Sequence, residues 1–164
     1  MNARVPMRAA LLLPFLCAST AIAAAAPDPI PVLTKRTTVV FVCEKGVAKS
    51  LIAATLFEQR AKARGLPFHA ISRGMKPQPE VPPIVREKLT ARGRDLSGYR
   101  AAALSADDAS GALRVVSFDQ DVAAVVKDMA PIDRWDGLPP ATLEYAAFEA
   151  EVAKRVEALL DSLH

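Results

Sequence analysis

The sequence predicts an α/β fold of three layers, α/β/α, built on a central parallel sheet of about four strands. Three observations carry this. From Thr37 onward, apolar β-branched runs alternate with segments of helical spacing. The first run, Thr37 to Val42, is β-branched and apolar, as befits a strand buried on both faces. The chain closes on a long stripe of apolar residues at helical spacing. Strands alternating with helices imply a parallel sheet covered on both sides. The 164 residues suit one such domain, and 51% hydrophobic content argues against disorder. Two cysteines cannot supply a disulfide framework. A net charge of +3, evenly spread, does not make a nucleic-acid-binding surface.

Each element has its own justification. Thr37 to Val42 is β-branched and apolar, a buried strand. Ser50 to Arg64 places Leu51, Ile52, Thr55, Leu56 and Gln59 at helical spacing, gathers charge towards its end and stops at Gly65. Phe68 to Ser72 forms a short second strand. Pro77, Pro79, Pro82 and Pro83 mark a loop leading into a helix through Leu89 and Arg92, ended by Gly93. Asp107-Asp108 reads as a turn or helix start. Leu113 to Phe118 is a third strand and Pro131 to Trp135 a weaker fourth. The last helix runs from about Thr142, with Val152, Val156, Leu159, Leu160 and Leu163 on one stripe.

The amino terminus has a different character. Arg4 and Arg8 precede the apolar run Leu11 to Leu16, and a small-residue stretch follows through Ala26. A basic head, a short apolar middle and an Ala-x-Ala exit at Ala21-Ile22-Ala23 describe a secretory signal peptide over residues 1–23. The run is too short to span a membrane and Pro14 interrupts it, so no membrane attachment is expected once the leader is removed. Residues 24–36, with Pro27, Pro29 and Pro31, form an extended linker, and the domain occupies 37–164. The expected location is secreted or periplasmic, in a bacterial cell.

In parallel sheets ligands bind beyond the carboxyl ends of strands. The first strand runs directly into Cys43-Glu44-Lys45-Gly46-Val47-Ala48-Lys49-Ser50, where the first helix begins. A loop ending at a helix amino terminus presents unpaired N–H groups to its centre, which favours an anion. The same field favours ionised sulfur on a cysteine at the start of the loop. Ser50 is placed to hydrogen-bond that sulfur from the far end of the loop, and Gly46 opens backbone conformations that a tight cradle needs. A thiolate beneath a bound oxyanion is arranged to attack phosphorus. His69 and His164 stand apart from this loop, and no metal or other cofactor is expected.

Cys43, five residues, a basic residue and Ser50 resemble the Cys-x5-Arg-Ser loop of low-molecular-weight protein tyrosine phosphatases. The thioredoxin-coupled arsenate reductases share that loop and fold. Ile71-Ser72-Arg73-Gly74-Met75 resembles the family's Ser-Ala-Gly-Thr strand end. Ala91 to Arg100, including Asp95-Leu96-Ser97-Gly98-Tyr99-Arg100, resembles its Arg-Gly-Ile-Asp-Leu-Ser-Gly-His-Arg segment. Val115 to Asp119 resembles the strand that ends in Met-Asp. The resemblance runs from Thr37 to His164 and implies a phosphatase-type anion loop after the first strand. It implies a Cys43 nucleophile, with Lys49 and the amides of Glu44, Lys45, Gly46, Val47 and Ala48 around the oxyanion and Ser50 tuning the sulfur.

Two departures bear on activity. The family's arginine is Lys49 here, a point charge where a planar fork would grip two phosphoryl oxygens. Losing one such transition-state contact commonly costs about 10²–10³ in rate. The family's late Asp-Pro, which protonates the leaving group, has no direct counterpart: aligning Pro140 with its proline puts Pro139 where the acid belongs. Asp136 lies three residues earlier and is the acid candidate, with Asp133 beyond it. Trp135 reads either as core or as a wall of a phenol pocket, and Asp119 as a support for neighbouring loops.

The expected function is therefore an exported phosphatase-like protein acting on a phosphate ester or a phosphotyrosine-containing substrate through a cysteinyl-phosphate. The alternative is a module that binds oxyanions or phosphopeptides with impaired turnover. Arsenate reduction ranks third, because those enzymes use further cysteines and none follows Cys43.

Overall fold

A computed structural model describes residues 36–163. The leader expected over 1–23, nearly all of the linker and His164 lie outside the described residues. Arg36, assigned by sequence to the linker, already touches the domain: its guanidinium donates to the carbonyls of Met129 (2.6 Å) and Ala112 (3.3 Å).

Four strands form one parallel sheet: β1 (Thr38–Cys43), β2 (His69–Gly74), β3 (Ala112–Ser117) and β4 (Ile132–Arg134), in the order β2-β1-β3-β4. The helices are α1 (Lys49–Ala63), α2 (Pro83–Ala91), α3 (Ala106–Gly111), α4 (Ala123–Val126) and α5 (Tyr145–Ser162). The central position of β1 explains its composition. Neighbours on both sides satisfy its backbone, and helices cover both faces, so every residue from Val39 to Cys43 is buried.

Alternation along β1 sorts the core into two layers. Val39, Phe41 and Cys43 face the cluster built with α1, α2 and α5, where Leu51, Phe57, Leu89, Phe148 and Val156 are buried. Val40 and Val42 face a smaller cluster with Ala109 of α3 and Val126 of α4. The direction of Cys43 follows from this period of two: it points to the α1 side. Phe41 sits at the centre of the larger layer, with ring centroids 5.7 Å from Phe57, 6.4 Å from Phe118 and 5.8 Å from Trp135.

Helix α1 is buried almost all round in its first half, from Ser50 to Phe57, because it lies between the sheet and α5. Gln59 leaves that interface: it is exposed and donates to the Arg92 carbonyl at 3.0 Å. Towards its end α1 is tied to α5 by Arg60 to Glu157 and by Arg64 to Asp161 at 2.7 Å. The Asp107-Asp108 helix start is α3. Ser105 caps it, accepting from the Asp108 N–H at 3.1 Å while Asp108 accepts the Ser105 N–H at 3.0 Å, a capping box. Arg73 of β2 adds a paired contact to Asp108, whose carboxyl is held below its ordinary value. Burial works against that lowering, and the bonds from Arg73 and Ser105 outweigh it. No helix among the described residues is long and apolar enough to cross a membrane.

Truncating Phe41 removes the ring that the other aromatics pack on. Phe41→Ala is expected to cost about 3–5 kcal/mol of stability. Urea unfolding followed by the fluorescence of Trp135, the chain's one tryptophan, measures it.

Candidate active site

The strand order brings the carboxyl end of β1 between those of β2 and β3, and the loop 43–50 rises from that edge. Beyond the strands, the backbone pairing of β1 with β2 continues into the loop. Met75 N–H donates to the Cys43 carbonyl (3.0 Å), Lys76 to Glu44 (2.7 Å) and Gln78 to Lys45 (3.0 Å). Two glycines make this approach possible. Gly46 has φ +72°, a conformation that side chains rarely adopt. A Cβ on Gly74 would stand 2.9 Å from both Gly46 N and Lys45 C, which leaves no room for any other residue there without moving backbone.

Within this frame the sulfur is surrounded by donors. Cys43 is 5% exposed, accepts from the Gly46 N–H at 3.2 Å and lies 3.1 Å from Ser50 Oγ. Ser50 is fully buried and 2.9 Å from Ser72 Oγ. Tyr99 completes the network from the other side, donating its hydroxyl to the Gly46 carbonyl at 2.6 Å and lying 3.1 Å from Ser72 Oγ. Burial above all raises the Tyr99 phenol over its ordinary value, and negative charge at Cys43 adds to this against the opposing bond to Ser72. Tyr99 therefore stays a proton donor to the loop. Helix α1 begins at Lys49 with Ala48 at its cap and no side chain capping it, so its first N–H groups face the loop.

Above the loop lies a cavity of about 410 Å³. Its floor is Cys43, Glu44, Lys45, Val47, Ala48 and Lys49. Its walls come from three further segments: Gln78, Glu80 and Pro82 before α2, Phe118 to Gln120 after β3, and Pro140 to Thr142 before α5. Of the loop residues expected to hold an oxyanion, Gly46 turns away from the cavity, its carbonyl occupied by Tyr99 and its N–H aimed at sulfur. Ser50 lies beneath the floor.

The structure decides between the two readings of Trp135 and corrects the expectation for Asp136. Trp135 is 7% exposed and lies in the core, edge-on to Phe41 and Phe118, and it does not line the cavity. It sits on the buried side because its N–H pairs with the Ser117 carbonyl, which extends the sheet by one residue. Asp136 also misses the cavity. One carboxylate oxygen accepts the Asp119 N–H at 3.0 Å and the other takes Arg134 Nε at 3.1 Å, so the group is spent on joining the ends of β3 and β4.

Of the aspartates that follow the strand ends, Asp119 is the one that stands at the cavity, which Glu44 and Glu80 also line. It has φ +53°, unusual for a residue other than glycine. Its Oδ1 accepts the Gly137 N–H at 3.0 Å, and its Oδ2 lies 2.6 Å from Lys49 Nζ. Burial opposes its ionisation, but Lys49, the Gly137 N–H and the more distant Arg134 hold it below the ordinary carboxylate value. Asp119 reads from sequence as a support, and Gln78, Glu80 and Thr142 carry no signal at all, since they reach the cavity from loops other than 43–50. Among the described residues no three His, Cys, Asp or Glu side chains group as a metal site.

A model of the low molecular weight phosphotyrosine protein phosphatase family matches residues 38–135, strand β1 through the end of β4. The chain belongs to that family. No match is found among curated proteins. Solved structures share the fold. The thioredoxin-dependent arsenate reductase of Corynebacterium glutamicum superposes with a TM-score of 0.66 at 22% identity, over 80% of this chain and 64% of its own. The chain thus spans less than two thirds of that reductase. A low molecular weight protein tyrosine phosphatase from Bacillus subtilis gives 0.64 at 20% identity, over 77% of this chain and 96% of its own. An arsenate reductase from Archaeoglobus fulgidus gives 0.60 at 24% identity, over 75% and 98%. Membership in this family supports phosphatase-like function.

Because the Gly74 contact is backbone against backbone, Gly74→Ala is expected to displace the loop and cost about 1–3 kcal/mol. Gly98→Ala, with open space around its Cβ, is expected to cost much less. Urea midpoints of the two variants make the comparison.

Proposed function

We propose that this protein is an exported phosphatase-like enzyme that binds the phosphoryl group of a phosphate monoester in the Cys43–Ser50 loop and transfers it to Cys43. The observation that carries the reading is the sulfur at the cavity floor, with the Gly46 N–H and Ser50 Oγ directed at it under the open amino end of α1. Cys43 Sγ attacks phosphorus, and the phosphorus–oxygen bond to the leaving group breaks. The loop amides and Lys49 carry the charge that gathers on the phosphoryl oxygens. Water then attacks the cysteinyl-phosphate, releasing inorganic phosphate and restoring the thiolate. The location outside the cytoplasm rests on the leader-like residues 1–23 and favours a small phosphate ester or an envelope component over a phosphotyrosine protein.

The weak point of this machinery is the proton. Asp136 is turned away, and Asp119 is held ionised against Lys49. Leaving groups that depart as stable anions are therefore favoured. These features also support the second reading, an oxyanion-binding module with impaired turnover. Arsenate reduction has less support, since Cys43 is the single cysteine among the described residues and an external thiol would have to resolve it.

Hydrolysis of aryl phosphates by the purified protein is the test. 4-Nitrophenyl phosphate is expected to turn over about tenfold or more faster than phenyl phosphate, for want of an acid. Lys49→Arg is expected to raise the rate by about tenfold or more, and Cys43→Ser to abolish it. Activity that survives Cys43→Ser overturns the mechanism. Phosphate binding without hydrolysis, in the wild type and Lys49→Arg alike, selects the binding module.

A further inference from the structure

We infer that Asp119 is a resident counter-anion of the oxyanion loop, a carboxylate that occupies Lys49 in the free protein and sets how tightly the loop takes up an external oxyanion. The inference rests on the reading of the Cys43–Ser50 loop as an oxyanion site and concerns how that site is regulated by its own wall.

Position is the first argument. Asp119 follows the strand beside β1, so the sheet itself carries it to the cavity that Cys43 and Lys49 also line. The second is the contact, at 2.6 Å between Oδ2 and Nζ, which pairs the Lys49 ammonium with a carboxylate of this chain. The third is the care with which the carboxylate is posed. Its backbone sits at φ +53°, its N–H is taken by Asp136, and its Oδ1 is taken by the Gly137 N–H. Three features from two strand ends thus leave Oδ2 alone facing Lys49.

Charge explains why this matters to a ligand. Lys49 is the first residue of α1, where a cation opposes the helix dipole and an anion is welcome. Asp119 satisfies both preferences in the absence of a ligand. An arriving oxyanion seeks the same ammonium and the same helix end, and it must either displace the carboxylate or sit beside it against like-charge repulsion. An arginine could divide its planar fork between two acceptors, whereas lysine offers one compact charge. The substitution at position 49 therefore makes the competition sharper.

The experiment is calorimetric titration of the purified protein with inorganic phosphate at constant ionic strength. Asp119→Asn keeps an acceptor for the Gly137 N–H, and asparagine tolerates left-handed backbone. Asp119→Gly, which meets no strain at this φ, serves as the second variant. Both are expected to bind phosphate about tenfold more tightly than the wild type. In a Lys49→Met background the gain from Asp119→Asn is expected to shrink to the part that relief of like-charge repulsion supplies, a coupling that a purely structural role for Asp119 would not produce. Unchanged or weaker binding in both Asp119 variants, beside measurable binding by the wild type, overturns the inference and leaves the oxyanion site standing. An equal gain with Lys49→Met also overturns it, because the carboxylate would then act without Lys49. Failure of the wild type, Lys49→Arg and both Asp119 variants to bind phosphate overturns the site reading itself.

Discussion

The approach of the loop backbone at Gly46 to the strand end at Gly74 is the constraint on which the rest of the site depends. Because neither position carries a Cβ, the pairing of β1 with β2 extends past the last strand residues and holds the loop by three further backbone hydrogen bonds. That hold turns the Gly46 N–H to sulfur and the Gly46 carbonyl to Tyr99. Ser50 and Ser72 then fill the space between, each hydroxyl within reach of the next. The chemistry of the sulfur is thus a consequence of backbone packing on the opposite side of the loop.

Electrostatics divide the site differently from packing. The floor is assembled from one contiguous stretch, while the charges around it come from strand ends far apart in sequence. Lys49 and Asp119 are 70 residues apart and meet because β1 and β3 are neighbours in the sheet. Asp136 serves Asp119, and Arg134 serves Asp136, so the carboxylate wall is a chain of groups each held by the next. Such a chain is stiff where it is hydrogen-bonded and open only at Oδ2.

Much of the fold could be read from the residues because burial on both faces leaves an unmistakable apolar run, as in Val39 to Val42 and Val115 to Phe118. Helix α5 declared itself by its stripe. Helices α3 and α4 are too short for a period to show, and packing against Val40 and Val42 holds them in place. Gln59 shows the reverse case, a residue in register with the buried face whose turn has already left it. The loop 43–50 was legible because its residues are contiguous. The walls were not, since Glu80, Asp119 and Thr142 meet only through topology. Sequence proximity to the expected acid makes Asp136 the acid candidate and leaves Trp135 open between core and pocket wall, and one further residue of sheet pairing carries both away from the cavity.

The sheet's margins have a consequence of their own. An open parallel sheet exposes a row of unsatisfied backbone groups at each edge, a template for another chain to add a strand. Here β4 has only three residues, which offers little to recruit. On the far side the segment Ala102 to Leu104 bonds with Gly74 through both its N–H and its carbonyl, closing the carboxyl end of β2. The same contact that backs the glycine junction therefore also blunts an edge. A lesion that loosens the loop at Gly74 would uncover a site for self-association, so that loss of the oxyanion cradle and a tendency to aggregate would arrive together.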